Sequence, residues 1–139
     1  MKRRTVFEKL LATAAAATPA MAAAAGPGPI HLHTDVHVKA GEEKQLIEDF
    51  HKLFLPRISK APGFIDAKLV KFVKANIGKA HPHHNYRLIQ VFQSEALREA
   101  WTTADGHKLA WHTAIESHLK TPFDAFLFEV VAEHRKTAR

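Results

Sequence analysis

Residues 106–115, GHKLAWHTAI, place two histidines and a tryptophan within six positions. On a helix, His107 and Trp111 lie one turn apart on the same side, and His112 lies about 100° further round. Imidazole is the side chain best suited to exchange a proton near neutral pH, and it also ligates haem iron. The segment therefore predicts a site in which His112 or His107 is the general base or iron ligand, with Trp111 and the earlier Trp101 as aromatic walls.

A packing role is the alternative for the same four residues. Both tryptophans are large enough to fill a core, and the histidines would then cap or border it. The spacing alone does not separate the two interpretations.

Two further groups of histidines could bind a metal ion. In residues 30–39, IHLHTDVHVK, strict alternation places His31, His33, Asp35 and His37 on one face of a strand. Side chains two apart on a strand could share a metal ion, or they could form a polar lining. The second group, HPHH at 81–84, lies in a segment whose Gly, Pro and Asn content predicts a loop. Without a spaced fourth ligand it predicts adventitious binding, so the sequence assigns no metal site.

The first 25 residues have the layout of an export signal. Arg3 and Arg4 precede a weakly apolar, alanine-rich run and small-residue cleavage sites, as in twin-arginine signals. The run is too weakly hydrophobic to predict a lasting membrane anchor. We therefore expect a periplasmic or otherwise exported protein, with residues 26–139 forming one domain.

Composition excludes several classes of function. The chain has no cysteine, so disulfides, thiolate metal sites and cysteine nucleophiles are absent. About half of the net charge of +6 lies in the first 25 residues, which removes most support for nucleic-acid binding. All eleven histidines lie after residue 25.

Hydrophobic periodicity predicts four strands and two helical regions. Alternation predicts strands over residues 30–39, 64–74, 86–93 and 123–135. Spacing of three and four predicts a helix after Gly41, kinked or terminated by Pro56, and a second helical region from the Ser94 cap to residue 119, with a turn at 104–106. The order β-α-β-β-α-β is the ferredoxin-like arrangement, an α+β fold with a four-stranded antiparallel sheet. Because the strands are apolar on both sides, we expect a symmetric dimer to cover the free face.

The chain resembles the antibiotic biosynthesis monooxygenase family of the dimeric α/β-barrel superfamily. The resemblance spans roughly residues 30–133 and is carried by VKAG, APGFIDAKL, YRLIQVFQSEALREAW and TPFDAFLFEVV. It implies a substrate cleft between helices and sheet, and it includes cofactor-independent oxygenases and haem-degrading oxygenases. In the haem-degrading branch a strand asparagine, a helix tryptophan and an iron-ligating histidine would correspond to Thr34, Trp101 and either Trp111 or His112.

We therefore expect an exported homodimer that acts as a monooxygenase on a small phenol or quinol without a required cofactor. One alternative is a periplasmic protein that binds haem or a divalent metal, with or without haem degradation. Another is a non-catalytic structural or stress-related dimer.

Overall fold

The computed structural model describes residues 28–120 and 122–136, so the export signal expected over residues 1–25 lies outside the described residues. Pro29–Glu129 form one compact unit that holds every described helix and strand. Gly28 and residues 130–136 belong to a second unit, whose described part has no helix or strand. None of the described helices combines the length and the hydrophobicity that crossing a membrane requires.

Four antiparallel strands form a single sheet. They are β1 (Ile30–Val36), β2 (Phe64–Lys71), β3 (Tyr86–Phe92) and β4 (Asp124–Glu129), in the spatial order β2-β3-β1-β4. A helical region follows β1 and another follows β3. This order confirms the predicted ferredoxin-like α+β fold.

All four strands end earlier than the sequence predicted, because their partners end. Lys71 at the end of β2 pairs with Tyr86, the first residue of β3. Glu129 at the end of β4 pairs with Ile30, the first residue of β1. Residues beyond these positions have no neighbouring strand, so their alternating pattern cannot form a ladder.

The first helical region runs without interruption from α1 (Glu43–Asp49) through a π-helical turn (Phe50–Phe54) to α2 (Leu55–Ile58). Pro56 lies within α2 and does not terminate the helix. Proline lacks the N–H that an α-helix uses, and the wider π turn lies directly before it. Every fourth residue is buried against the sheet: Leu46, Phe50, Phe54 and Ile58.

The second helical region begins as predicted at Ser94, whose Oγ accepts a hydrogen bond of 3.2 Å from the N–H of Leu97. It comprises α3 (Glu95–Thr103) and α4 (Asp105–Ala110), followed by a π-helical turn (Trp111–Ile115) and a 3-10 turn (Glu116–His118). The predicted turn at 104–106 shrinks to Ala104, which is the extended residue between α3 and α4.

The two faces of the sheet differ in exposure. Even-numbered residues of β1 and β3, such as Val36, Leu88 and Phe92, are fully buried beneath the helices. The opposite face, which we call the open face, consists of His31, His33, Asp35, Asp66, Lys68, Val70, Arg87, Ile89, Val91, Asp124, Phe126 and Phe128, aligned across the strands. On it Phe126 and Phe128 are 48% and 54% exposed.

Candidate functional site

Three of the four residues predicted for the site lie together, and we call them the Trp–His cluster: Trp101, His107 and Trp111. The rings of Trp101 and His107 meet edge to face at 5.1 Å between centroids. The His107 ring is nearly parallel to that of Trp111 at 6.4 Å. Because Ala104 separates α3 from α4, Trp101 and His107 come from different helices and still converge.

The imidazole of His107 is partly buried and carries a free ring nitrogen. Its Nδ1 is buried and has no hydrogen-bond partner among the described residues. Burial lowers the pKa of His107, and Arg98 and His112 lower it further, against a hydrogen bond to the backbone of Thr102. His107 is therefore neutral at pH 7, which is the form able to accept a proton or to ligate a metal.

Trp101 is held by a buried polar partner that sequence reasoning missed. Its Nε1–H donates a hydrogen bond of 3.3 Å to Oε1 of Gln90, and both residues are buried. Gln90 lies on the helix-covered face of β3 between Leu88 and Phe92. A glutamine at an inward position of an alternating strand was the available signal, since a buried amide needs a partner.

Access to the cluster differs on its two sides. Trp111 is packed against Phe123, with ring centroids 4.8 Å apart, and the adjoining Ala110 and Ala114 have no exposed surface. On the other side Gly106 is exposed, and a Cβ there would meet no atom nearer than Cζ3 of Trp101, at 4.0 Å. The Trp101 edge therefore borders solvent at Gly106.

His112 and Thr34, which the sequence also suggested, lie elsewhere. The His112 side chain is 68% exposed and pairs with Glu116 one turn later. Thr34 is buried under the helices on β1. The structure does not bring His112 into the Trp–His cluster, and the catalytic roles of all four site residues stay predictions.

The carboxylate predicted beside the strand histidines is held in an ion pair. Asp35 accepts two hydrogen bonds from Arg87, of 2.5 and 3.0 Å. Burial, and then the Arg87 charge, lowers the pKa of His33. Because Asp35 is already bound to a guanidinium, it is a poor partner for a metal ion shared with His31 and His33.

Another buried histidine joins the two helical regions. Both ring nitrogens of His118 lie 2.8 Å from carboxylates, Nδ1 from Glu42 and Nε2 from Asp49. The hydrogen bond from His118 lowers the pKa of Asp49, and Gln45 and Lys52 contribute in the same direction. This contact fixes α1 against the end of the second helical region.

The similarity of this chain to known proteins is a similarity of fold. No family model matches the sequence, and no curated protein sequence matches it. A proposed antibiotic biosynthesis monooxygenase from Caulobacter crescentus CB15 is 15% identical, with a TM-score of 0.58 over 76% of this chain and 92% of that one. A dimeric ferredoxin-like protein of unknown function from Jannaschia sp. CCS1 is 11% identical, with a TM-score of 0.59 over 74% of this chain and 100% of that one.

A haem-binding protein has the same fold. The heme-degrader MhuD of Mycobacterium tuberculosis, solved with two hemes in its active site, is 20% identical, with a TM-score of 0.59 over 76% of this chain and 99% of that one. The chain therefore has the ferredoxin-like fold found in antibiotic biosynthesis monooxygenase-like proteins. At these identities the likeness defines the fold alone.

Proposed function

We propose that the protein is an exported, homodimeric monooxygenase that oxidises a small phenol or quinol with dioxygen and needs no cofactor. The observation that carries the proposal is the buried, unpartnered Nδ1 of His107 between two indole rings. A neutral imidazole held beside flat apolar walls suits the deprotonation of an aromatic hydroxyl. The resemblance to cofactor-independent oxygenases supports the same reaction.

The proposed reaction needs only the substrate, dioxygen and the imidazole. His107 takes the hydroxyl proton, and the resulting phenolate is electron-rich enough to reduce dioxygen. One oxygen atom enters the ring and the other leaves as water, so that a phenol becomes a quinone and supplies all the electrons. Trp101, whose edge borders solvent at Gly106, orients the ring, and Trp111 closes the packed side against water. The proton on His107 leaves with the departing oxygen.

Oxygen uptake by the purified, chelator-treated full chain tests this proposal with a panel of hydroquinones and naphthols. We expect His107→Ala to lower the rate at least about 100-fold, the usual contribution of a general base. His112→Ala is the matched control on the same helical region and should keep the wild-type rate, because its side chain is exposed and pairs with Glu116. Circular dichroism melting confirms that both variants fold.

Equal loss in both variants, or none in either, would show that His107 is not the base. No uptake by the wild type with any substrate in the panel would reject the oxygenase.

Haem binding is the second candidate function, favoured by the same free nitrogen and by the likeness to the M. tuberculosis heme-degrader. The imidazole of His107 is suited to ligate haem iron. The residues beside it leave no slot for a porphyrin, because Trp111, Ala110 and Ala114 are packed into the core on the side facing the sheet. Haem therefore takes no part in the proposed reaction. A Soret shift on haem titration that His107→Ala removes would favour this function instead.

A homodimer would cover the open face. That face exposes aromatic side chains at Phe126 and Phe128 on one edge strand, and it also carries the apolar Ile89 and Val70. A monomer would leave these side chains in water. A symmetric contact between two copies is the simplest cover, and the Jannaschia protein of the same fold is dimeric.

A further inference from the structure

Two histidines and an aspartate converge at one end of the sheet, and we call them the loop triad: His81, His84 and Asp124. One ligand atom from each lies within 4.8 Å of the others. Nε2 of His84 is 3.5 Å from Oδ2 of Asp124. The rings of His81 and His84 stack at 3.7 Å between centroids.

The sheet topology brings these distant residues together. His84 lies just before β3, and Asp124 is the first residue of β4. Both strands pair with β1, where Asp35 is opposite Arg87 on one side and Asp124 on the other. The loop before β3 therefore ends beside the start of β4, about forty positions away in sequence.

The triad has a buried part and an exposed part. The His84 side chain is only 10% exposed, whereas that of Asp124 is 55% exposed and His81 is exposed. One ligand is thus fixed by packing, and the other two can adjust around it.

We propose that the loop triad binds one divalent transition-metal ion, with Zn²⁺ as its representative. Two imidazoles and a carboxylate are the ligands that such ions prefer, whereas Mg²⁺ and Ca²⁺ favour all-oxygen sites. This site is separate from the Trp–His cluster and does not depend on the oxidation proposed above, although Asp124 also belongs to the open face.

The ligand atoms of the triad lie slightly further apart than they would around a bound metal ion. Tetrahedral Zn²⁺ with bonds of about 2.0–2.1 Å holds its ligand atoms about 3.3 Å apart, so the triad must contract by up to about 1.5 Å. Side-chain rotation at His81 and Asp124 supplies this movement.

Metal binding exchanges one hydrogen bond for a coordination bond. Nδ1 of His81 accepts a 3.1 Å hydrogen bond from the backbone N–H of His83. Binding through Nδ1 displaces this contact, and binding through Nε2 moves the proton onto Nδ1, so the contact is lost in either case.

A cavity leaves room for a fourth ligand. Its volume is about 400 Å³, and His81 and His84 line it together with Val70, Lys79 and Arg87. Three protein ligands and an open position are typical of metal sites that retain an exchangeable water.

His83 provides a matched control within the same loop. Its ring stacks on His37 with centroids 5.7 Å apart, and it is not part of the triad. The variant His83→Ala keeps the backbone N–H that binds His81.

Calorimetric titration of the untagged full chain with Zn²⁺ tests the proposal. We expect one ion per chain, with affinity lowered at least about tenfold by His84→Ala and by Asp124→Asn, and within about twofold of wild type in His83→Ala. Co²⁺ absorption should show the intensity of a four-coordinate ion in the wild type. Thermal melting without metal checks that each variant folds. If His84→Ala does not fold, Asp124→Asn still tests the site.

Two outcomes would overturn the site. One is the absence of saturable binding at one ion per chain. The other is an equal loss in His83→Ala and His84→Ala, which would make the histidine-rich loop a non-specific chelator.

Discussion

Burial gives the histidines of the second helical region different environments. His107 is partly buried with a free ring nitrogen, His112 is exposed, and His118 is buried between two carboxylates. The sequence does not distinguish His107 from His112, because spacing indicates the side of a helix on which a residue lies and not what covers that side. The packing of α4 against the core makes the distinction, and it favours His107 as the reactive imidazole.

The contact between His118 and Asp49 should make stability depend on pH in the acid range. The pKa of Asp49 lies below its ordinary value of 3.8, so its hydrogen bond stabilises the fold above that value and is lost as the pH falls through the folded-state pKa. We expect the free energy of unfolding of the wild type, measured by urea denaturation, to fall from about pH 5 downward. Asp49→Asn should be less stable at neutral pH and should lose less on acidification.

Glu48→Gln is the control for this experiment, because Glu48 pairs only with the exposed Lys52 on the same helix among the described contacts. It should follow the wild-type dependence on pH. If Asp49→Asn followed it too, the His118 contact would not be the source of the acid sensitivity.

At the scale of helices and strands, the sequence predicted which elements exist better than where they end. Alternation in β1 and four-residue spacing at Leu46, Phe50 and Phe54 are local signals, so they survive without the rest of the fold. The end of β4 depends on where β1 begins, because Glu129 pairs with Ile30. Gln90 and Asp124 belong to sites through such non-local contacts, which is why sequence spacing did not find them.

Helix α4 carries a glycine that its backbone does not require. Gly106 lies in the first turn of α4, and a Cβ there would make only an ordinary contact with Trp101, at 4.0 Å. Gly106→Ala should therefore stabilise the protein by about 0.4–1 kcal/mol, because it reduces the freedom of the unfolded chain. Urea denaturation measures the change, and a loss of stability would show that the position needs glycine.

At the scale of the whole molecule, the helices cover one face of the sheet and leave the other exposed. The helices bury Val36, Leu88 and Phe92, whereas Phe126 and Phe128 remain about half exposed. The sequence predicted this imbalance, since the strands are apolar on both sides. It could not predict which residues would lie opposite one another on the free face, because that depends on the register between the strands.

A charge on the open face should separate the proposed homodimer. We expect the wild type to sediment as a dimer and Phe128→Glu as a monomer, because a buried unpaired carboxylate is strongly unfavourable. Leu109→Glu is the matched control, since Leu109 is 51% exposed on α4 and lies off the sheet. A monomeric wild type, or dissociation of both variants, would contradict the assignment of this face.

The central position of β1 has a consequence for how the chain acquires its fold. Its first residue, Ile30, is paired in register with Glu129, so among the described strands the first made by the ribosome is flanked by the last. Pairing residues so far apart requires closing nearly the whole domain into one loop, which raises contact order and slows folding. During synthesis β1 has an unpaired edge until residues 124–129 emerge, and the nascent chain is therefore open to unwanted strand pairing until then.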